Sequence, residues 1–168
     1  NPLLTPEGRQ EIRNLSSQTG VRVLSICADY FMEAPLHSKD ARVAKQSFEI
    51  LNQLLTASTE LDIRDIVIPC VDHSSVQDES KRQRFQKKLS EIIPKAEENG
   101  VNLALETDLN PSLFSALLKN FRSDRVTVNY DTGNSAALGY DTKEEFKAYG
   151  RKFTDIHIKD RKLGSDSV

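Results

Sequence analysis

The feature that most constrains this chain is the way its apolar residues alternate between two spacings from one end to the other. Short segments of period 2 or continuous apolar character (about Arg22–Cys27, DIVIPC at Asp65–Cys70, VNLALE at Val101–Glu106, VTVNYD at Val126–Asp131 and FTDIHIKD at Phe153–Asp160) are separated by longer segments of period 3.6. Strands alternating with helices cover a parallel sheet, because only a crossover helix returns the chain to the same edge. The helix boundaries are written in cap chemistry. Thr5-Pro6 reads as an N-cap and first helical residue with Gly20 as the stop, and Asn110-Pro111 reads the same way. A long helix is expected over about Asp40–Leu61, with Ala44, Phe48, Leu51 and Leu55 on one face, and another over about Glu79–Asn99, ended by Gly100. Pro94 should kink or break the latter near its end. After Phe114, Leu117, Leu118 and Phe121, the apolar face of the helix that follows Asn110, the segment TGNSAALGY reads as a glycine-containing loop. A short helix from Asp141, with Glu144 completing a capping box, comes next.

No composition shift or low-complexity stretch divides residues 1–168, so they read as a single domain. The 23 Lys and Arg balance 25 Asp and Glu, which gives a net charge of -2 and no broad positive field for nucleic acid. The basic run Lys81–Lys88 is broken by Phe85 and reads as the solvated face of a helix. No apolar stretch approaches the ~20 residues that span a bilayer, and the first ten residues lack an apolar signal core, so the expected place is the cytoplasm. Cys27 and Cys70 lie in separate apolar segments without metal-cluster spacing and read as reduced, packed thiols.

In the last three strand segments the aliphatic residues share one parity and the polar residues the other, and alternate strand side chains point to opposite faces. Val101, Leu103 and Leu105 oppose Asn102, Ala104 and Glu106. Val126, Val128 and Tyr130 oppose Thr127, Asn129 and Asp131, while Ile156 and Ile158 oppose Asp155, His157 and Lys159. Glu106, Asp131 and His157 thus fall on one face near the carboxyl ends of their strands, where α/β sheets and barrels carry their sites. Two carboxylates and an imidazole form a hard N/O donor set suited to Mn²⁺, Mg²⁺, Co²⁺ or Zn²⁺. Taken singly each has a plainer role open to it, since Glu106 or Asp131 could cap the following loop and His157 could be a structural hydrogen-bonding residue.

At these positions the segments ALETD around Glu106, NYDTGNSAALGYD around Asp131 and DIHIKDR around His157 resemble the sugar phosphate isomerase/epimerase family with the xylose-isomerase-like barrel. The resemblance implies a (β/α)8 TIM barrel, of which this chain would carry about five of eight strands as its central portion. A barrel of this type needs about 250 residues, so 168 imply an incomplete barrel, without two opening strands and without the final-strand Glu that is the family's fourth ligand. It also implies that Glu106, Asp131 and His157 bind a divalent metal, and that Glu106 shuttles a proton at the carbon beside a sugar carbonyl. The reaction would be isomerisation or epimerisation of a small-molecule sugar or sugar phosphate through an enediolate, in carbohydrate metabolism, with a homo-oligomer compatible with the fold. This chain alone would be catalytically incomplete.

Several further residues have two readings. Asn134 resembles a substrate-contacting position of the family, but Gly133-Asn134 is also a turn dipeptide. His73 could bind a substrate hydroxyl or cap the next helix, and Lys159 shares the face of His157 and could meet a substrate phosphate or carboxylate. Asp160 reads as orienting its neighbours. Tyr30 and Phe31 could wall the sugar or simply pack their loop. Abasic-site endonucleases and inosose dehydratases use similar barrels. The endonuclease type needs many histidines for a trinuclear zinc cluster, whereas only His37, His73 and His157 are present. A non-catalytic sugar-binding protein is the remaining class.

Overall fold

In a computed structural model, residues 1–165 are described and form alternating helices and strands. The elements run α1 (Pro6–Thr19), β1 (Ser25–Cys27), α2 (Tyr30–Glu33), α3 (Ala41–Glu60), β2 (Asp65–Cys70) and α4 (Glu79–Asn99). They continue with β3 (Asn102–Thr107), α5 (Pro111–Lys119), β4 (Val126–Asp131), α6 (Thr132–Leu138), α7 (Thr142–Tyr149) and β5 (Phe153–His157). Among the described residues the five strands form one parallel sheet in the order β1-β2-β3-β4-β5. A sheet whose spatial order follows the chain order, each strand returning through a helix, is part of a β/α barrel rather than a doubly wound sheet, where the order reverses at a switch point.

The core lies between the outer face of the sheet and the helices. Ile66, Ile68, Leu103, Leu105, Val126 and Val128 pack there against Leu51, Leu55, Phe85, Leu89, Phe114 and Leu117. Those strand residues include the aliphatic parity read from the sequence in β3 and β4. Every residue of β2 and β4 is buried, as strands inside a parallel sheet require. Phe31 joins this core at 1% exposure, so it packs its loop and does not wall a cleft.

The cap chemistry holds at Thr5, whose hydroxyl accepts from Gly8 N, and at Asn110, whose side chain accepts from Leu113 N. Other expectations need correction. Helix α4 runs through Pro94 without a break. Pro94 and Ser90 both face solvent, so the carbonyl that loses its helical donor is open to water rather than orphaned in the core. The segment after Asp131 is not a loop but the short helix α6, with Asp131 as its N-cap and the left-handed Gly139 as its stop. Gly133 serves close packing rather than a turn, since a Cβ there would stand 2.6 Å from Cβ of Lys159. Asp141 caps α7 through Lys143 N and Glu144 N, but Glu144 is exposed and it is Glu145 that is buried. Strand β1 is shorter than expected, and β5 ends at His157 rather than Asp160.

The pairing of β4 with β5 contains one irregularity that positions the site. Val128 pairs with Phe153, but Asn129 pairs with Asp155 and Asp131 with His157, so β5 carries one extra residue at this point. A bulge of one residue exchanges the two faces of a strand beyond it. Phe153 can therefore stack on Tyr130 in the outer layer, with ring centroids 4.9 Å apart, while His157 lies abreast of Asp131 on the inner face. Without the extra residue, Ile156 would occupy that place.

Candidate metal centre

The inner face of β3, β4 and β5 brings Glu106, Asp131 and His157 together at the carboxyl ends of the strands. One ligand-type atom from each lies within 4.8 Å of the others. His157 Nδ1 is 3.3 Å from Glu106 Oε2 and 3.8 Å from Asp131 Oδ2. Both carboxylates are buried, and His157 is about a quarter exposed at 27% of its side chain, so the cluster opens to solvent on the imidazole side.

Glu106 is held by an amide at each oxygen. Asn134 Nδ2 donates to Oε1 at 2.6 Å, and Asn129 Nδ2 donates to Oε2 at 2.6 Å while lying 3.1 Å from His157 Nδ1. Burial raises the pKa of Glu106 above the usual carboxylate value, and the neighbouring Asp131 charge adds to this. His157, the Asn129 amide and Lys159 pull the other way. A carboxylate with a raised pKa, fixed at both oxygens by groups that cannot themselves take its proton, is a proton acceptor of defined orientation.

Asp131 divides its two oxygens between two tasks. Oδ1 accepts from Gly133 N at 3.0 Å and Asn134 N at 2.9 Å, the cap of α6. Oδ2 is buried and, apart from the Lys159 ammonium 2.7 Å away, has no donor. Burial alone would lower the pKa of Lys159, but its contact with Asp131 and the charge of Glu106 outweigh that and raise it. The fit to a divalent ion is good. A carboxylate oxygen faced only by an ammonium, a second carboxylate oxygen and an imidazole nitrogen lie within 4.8 Å of one another, and the Lys159 ammonium already sits there.

The other residues singled out from sequence are placed less uniformly. Asn134 sits beside the cluster, but both ends of its amide are engaged by protein, since Oδ1 accepts from Arg161 Nη1 at 2.7 Å. Lys159, Asn134, Glu106 and His157 line one cleft with Cys27, Asp72 and Arg161. His73 is exposed in the turn after β2, outside that cleft, and Asp78 rather than His73 caps α4. Asp160 is exposed. Cys70 is buried as expected, but Cys27 is exposed rather than packed; it donates to Asp29 Oδ1 at 3.0 Å, and partial burial, reinforced by that carboxylate, pushes its thiol up to about 12. It is a thiol and not a thiolate at neutral pH. Sequence reasoning missed Asn129 and Arg161 as neighbours of the cluster. Asn129 was legible as a polar residue on the inner parity two positions before Asp131, but Arg161 lies beyond the last strand, where no periodicity operates.

A parallel β/α half-barrel with carboxylate and imidazole side chains converging at the carboxyl ends of its strands is of the class of β/α barrels that carry their sites at that face. The chain belongs to the xylose isomerase-like TIM barrel family, whose profile matches residues 1–167. Among its relatives, L-ribulose-5-phosphate 3-epimerase UlaE of Escherichia coli (strain K12) is 30% identical over 166 residues, which are 94% of this chain and 58% of that protein. The chain therefore spans about three-fifths of the length of that relative. Among solved structures, a D-tagatose 3-epimerase-like protein superposes with a TM-score of 0.74 at 20% identity, covering 92% of this chain and 61% of the other. The IOLI protein with a bound zinc atom superposes with a TM-score of 0.69 at 16% identity, covering 94% and 71%. At these identities the superpositions establish the fold. Among the described residues no helix is long and apolar enough to cross a membrane.

Proposed function

We propose that the whole protein is a divalent-metal-dependent epimerase or isomerase of a small sugar or sugar phosphate, with Glu106, Asp131 and His157 as metal ligands and Glu106 also as the proton-transferring base. The observation that carries this reading is the convergence of those three ligand atoms within 4.8 Å at the ends of consecutive strands. The relatives named sugar epimerases support it, and so does a structural neighbour of the same fold that binds a zinc atom.

When bound, the ion would supply Lewis-acid stabilisation of the negative charge that develops on a sugar's carbonyl oxygen. Glu106 takes the proton from the carbon beside that carbonyl, leaving an enediolate. Asn129 and Asn134 hold the Glu106 carboxylate in one orientation throughout, because neither amide can accept the proton in its place. Asp131 commits Oδ1 to the cap of α6, which leaves Oδ2, faced by the Lys159 ammonium, as the oxygen that would meet the ion. Lys159 balances the two carboxylates, and with Arg161 it places positive charge where an anionic substrate would enter.

The test is solvent exchange. Full-length protein loaded with Mn²⁺ and given L-ribulose 5-phosphate in deuterated water should place deuterium at the carbon next to the carbonyl. Glu106→Gln, with metal occupancy checked independently, should suppress this by at least ~100-fold. A folded, metal-loaded parent that exchanges no proton of this ketose phosphate or of free ketopentoses would overturn the reading. So would a metal-loaded Glu106→Gln that exchanges at the parent rate.

A further inference from the structure

Glu145 stands outside the cluster, and nothing in the chemistry above uses it. It lies on α7, 3% exposed, and forms no salt bridge among the described residues. Three hydroxyls from three elements surround it instead. Tyr149 OH of its own helix donates to Oε1 at 2.8 Å, Tyr130 OH of β4 donates to Oε2 at 2.9 Å, and Ser135 Oγ of α6 donates to Oε2 in a short contact. The three donors are themselves 6% exposed each. A buried carboxylate is costly unless its lone pairs are filled, and an ionised one fills them only as an acceptor. Burial, reinforced by the Glu145 carboxylate, raises the phenol of Tyr149 well above its ordinary pKa, so it remains a donor.

Two of the three donors are chain neighbours of site residues. Tyr130 immediately precedes Asp131, and Ser135 immediately follows Asn134. On a helix, successive side chains diverge by about 100°. Fixing Ser135 toward α7 therefore fixes the rotation of α6 that points Asn134 toward Glu106. Other contacts hold α6 from the segment after β5, where Arg161 Nη1 donates to Asn134 Oδ1 and Gly164 N donates to Ala137 O. Asp131 caps the helix, and Gly133 lies against Lys159, but neither reaches beyond Asn134 on the α7 side.

We propose that Glu145 is a positioning residue: through Ser135 it sets the rotation of α6 and so holds the Asn134 amide on Glu106 Oε1. The effect on turnover rests on the reading of Glu106 as base, whereas the positioning has a readout of its own. Removing Glu145 itself would strand three buried hydroxyls and endanger folding, so the informative pair is Ser135→Ala and Tyr149→Phe in the full-length protein. Both remove one donor from the same carboxylate, but only the first cuts the link to α6. Two quantities are read well below the unfolding temperature: the ¹⁵N order parameter of the Asn134 side-chain amide, and kcat against KM. In Ser135→Ala the Asn134 amide should become flexible, with an order parameter below ~0.6. Its kcat should fall by ~10-fold while KM changes by less than ~2-fold, as expected when a reacting group is displaced but the substrate still binds. Tyr149→Phe should keep the order and kcat of the parent at a lowered unfolding temperature. An ordered Asn134 amide in Ser135→Ala, or equal loss of order in both variants, overturns the proposal. If the protein turned over no sugar, the amide measurement would still decide the positioning, and only the assignment of the base would fail.

Discussion

Asp131 does two jobs with two oxygens, and the pair Asp131→Ala and Asp131→Asn separates them. In the alanine variant, Gly133 N and Asn134 N lose their acceptor. Loss of an N-cap costs ~1–2 kcal/mol, and Gly133 is buried, so its N–H cannot turn to water and adds part of the ~1–3 kcal/mol penalty for an unsatisfied donor. The two terms overlap, and the sum is about 2–3 kcal/mol. At ~2–4 °C per kcal/mol for a domain of this size, the unfolding temperature should fall by ~5–10 °C. The asparagine variant keeps an oxygen where Oδ1 stands and hence keeps the cap. It loses the ion pair with Lys159, whose side chain is 36% exposed and can turn to solvent, and it relieves the repulsion between Asp131 and Glu106. These changes oppose each other, and its stability should stay within ~1 kcal/mol of the parent. Thermal unfolding followed by circular dichroism, with EDTA present so that metal linkage does not contribute, measures this difference. Calorimetric titration with Mn²⁺ should show weakened binding in both variants. If Asp131→Asn were destabilised as much as Asp131→Ala in EDTA, the cap would not be what Oδ1 provides, and the division of labour would be refuted.

Two further outcomes are expected. Loss of an outer partner of a metal ligand typically costs ~10–100-fold in affinity, so His157→Ala, which removes a donor outright, should weaken Mn²⁺ binding by at least ~100-fold; unchanged metal content would remove His157 from the site. His37 is 3% exposed with both ring nitrogens unpartnered, and burial, with Lys81 and Arg84 adding to it, lowers its pKa from 6.5 to about 4. Between those values the unfolded chain binds more protons than the folded one, so this contribution to stability is full above pH 6.5 and is lost as pH falls toward 4. The loss should reach ~1–2 kcal/mol by about pH 4.5, less than the full shift implies because water screens the nearby cations. Urea unfolding at pH 7.5 and 4.5 should show a smaller acid loss in His37→Phe than in the parent, and equal losses would exclude His37 as the cause.

Much of the architecture was legible because it is local. The caps at Thr5 and Asn110 and the stop at Gly100 are set by backbone donors and acceptors within four residues, and the aliphatic parity of β3 and β4 follows from the two-residue repeat of a strand. The same repeat placed Glu106 and Asp131 on one face. The break expected at Pro94 does not occur, because the carbonyl it frees lies at the solvent side of α4, which only the packing of that helix decides. The segment after Asp131 misled because Gly133-Asn134 has the composition of a turn, whereas the glycine is there to admit Lys159 from β5's continuation.

The sequence by itself determined which chemistry was available: two carboxylates and an imidazole near the ends of consecutive strands, on a frame of alternating strands and helices. Tertiary structure decided whether those groups meet. The extra residue of β5 opposite Val128–Asn129 is invisible to a parity count, because bulges arise from pairing between strands and not from either strand alone. Yet that residue sets Phe153 in the outer layer and His157 beside Asp131. Likewise, no periodicity joins Glu145 to Ser135 and Tyr130, or Asn129 to Glu106 and His157. These contacts exist because crossover helices bring distant segments within hydrogen-bonding distance, where burial makes each unpaired polar atom costly enough to select its partner.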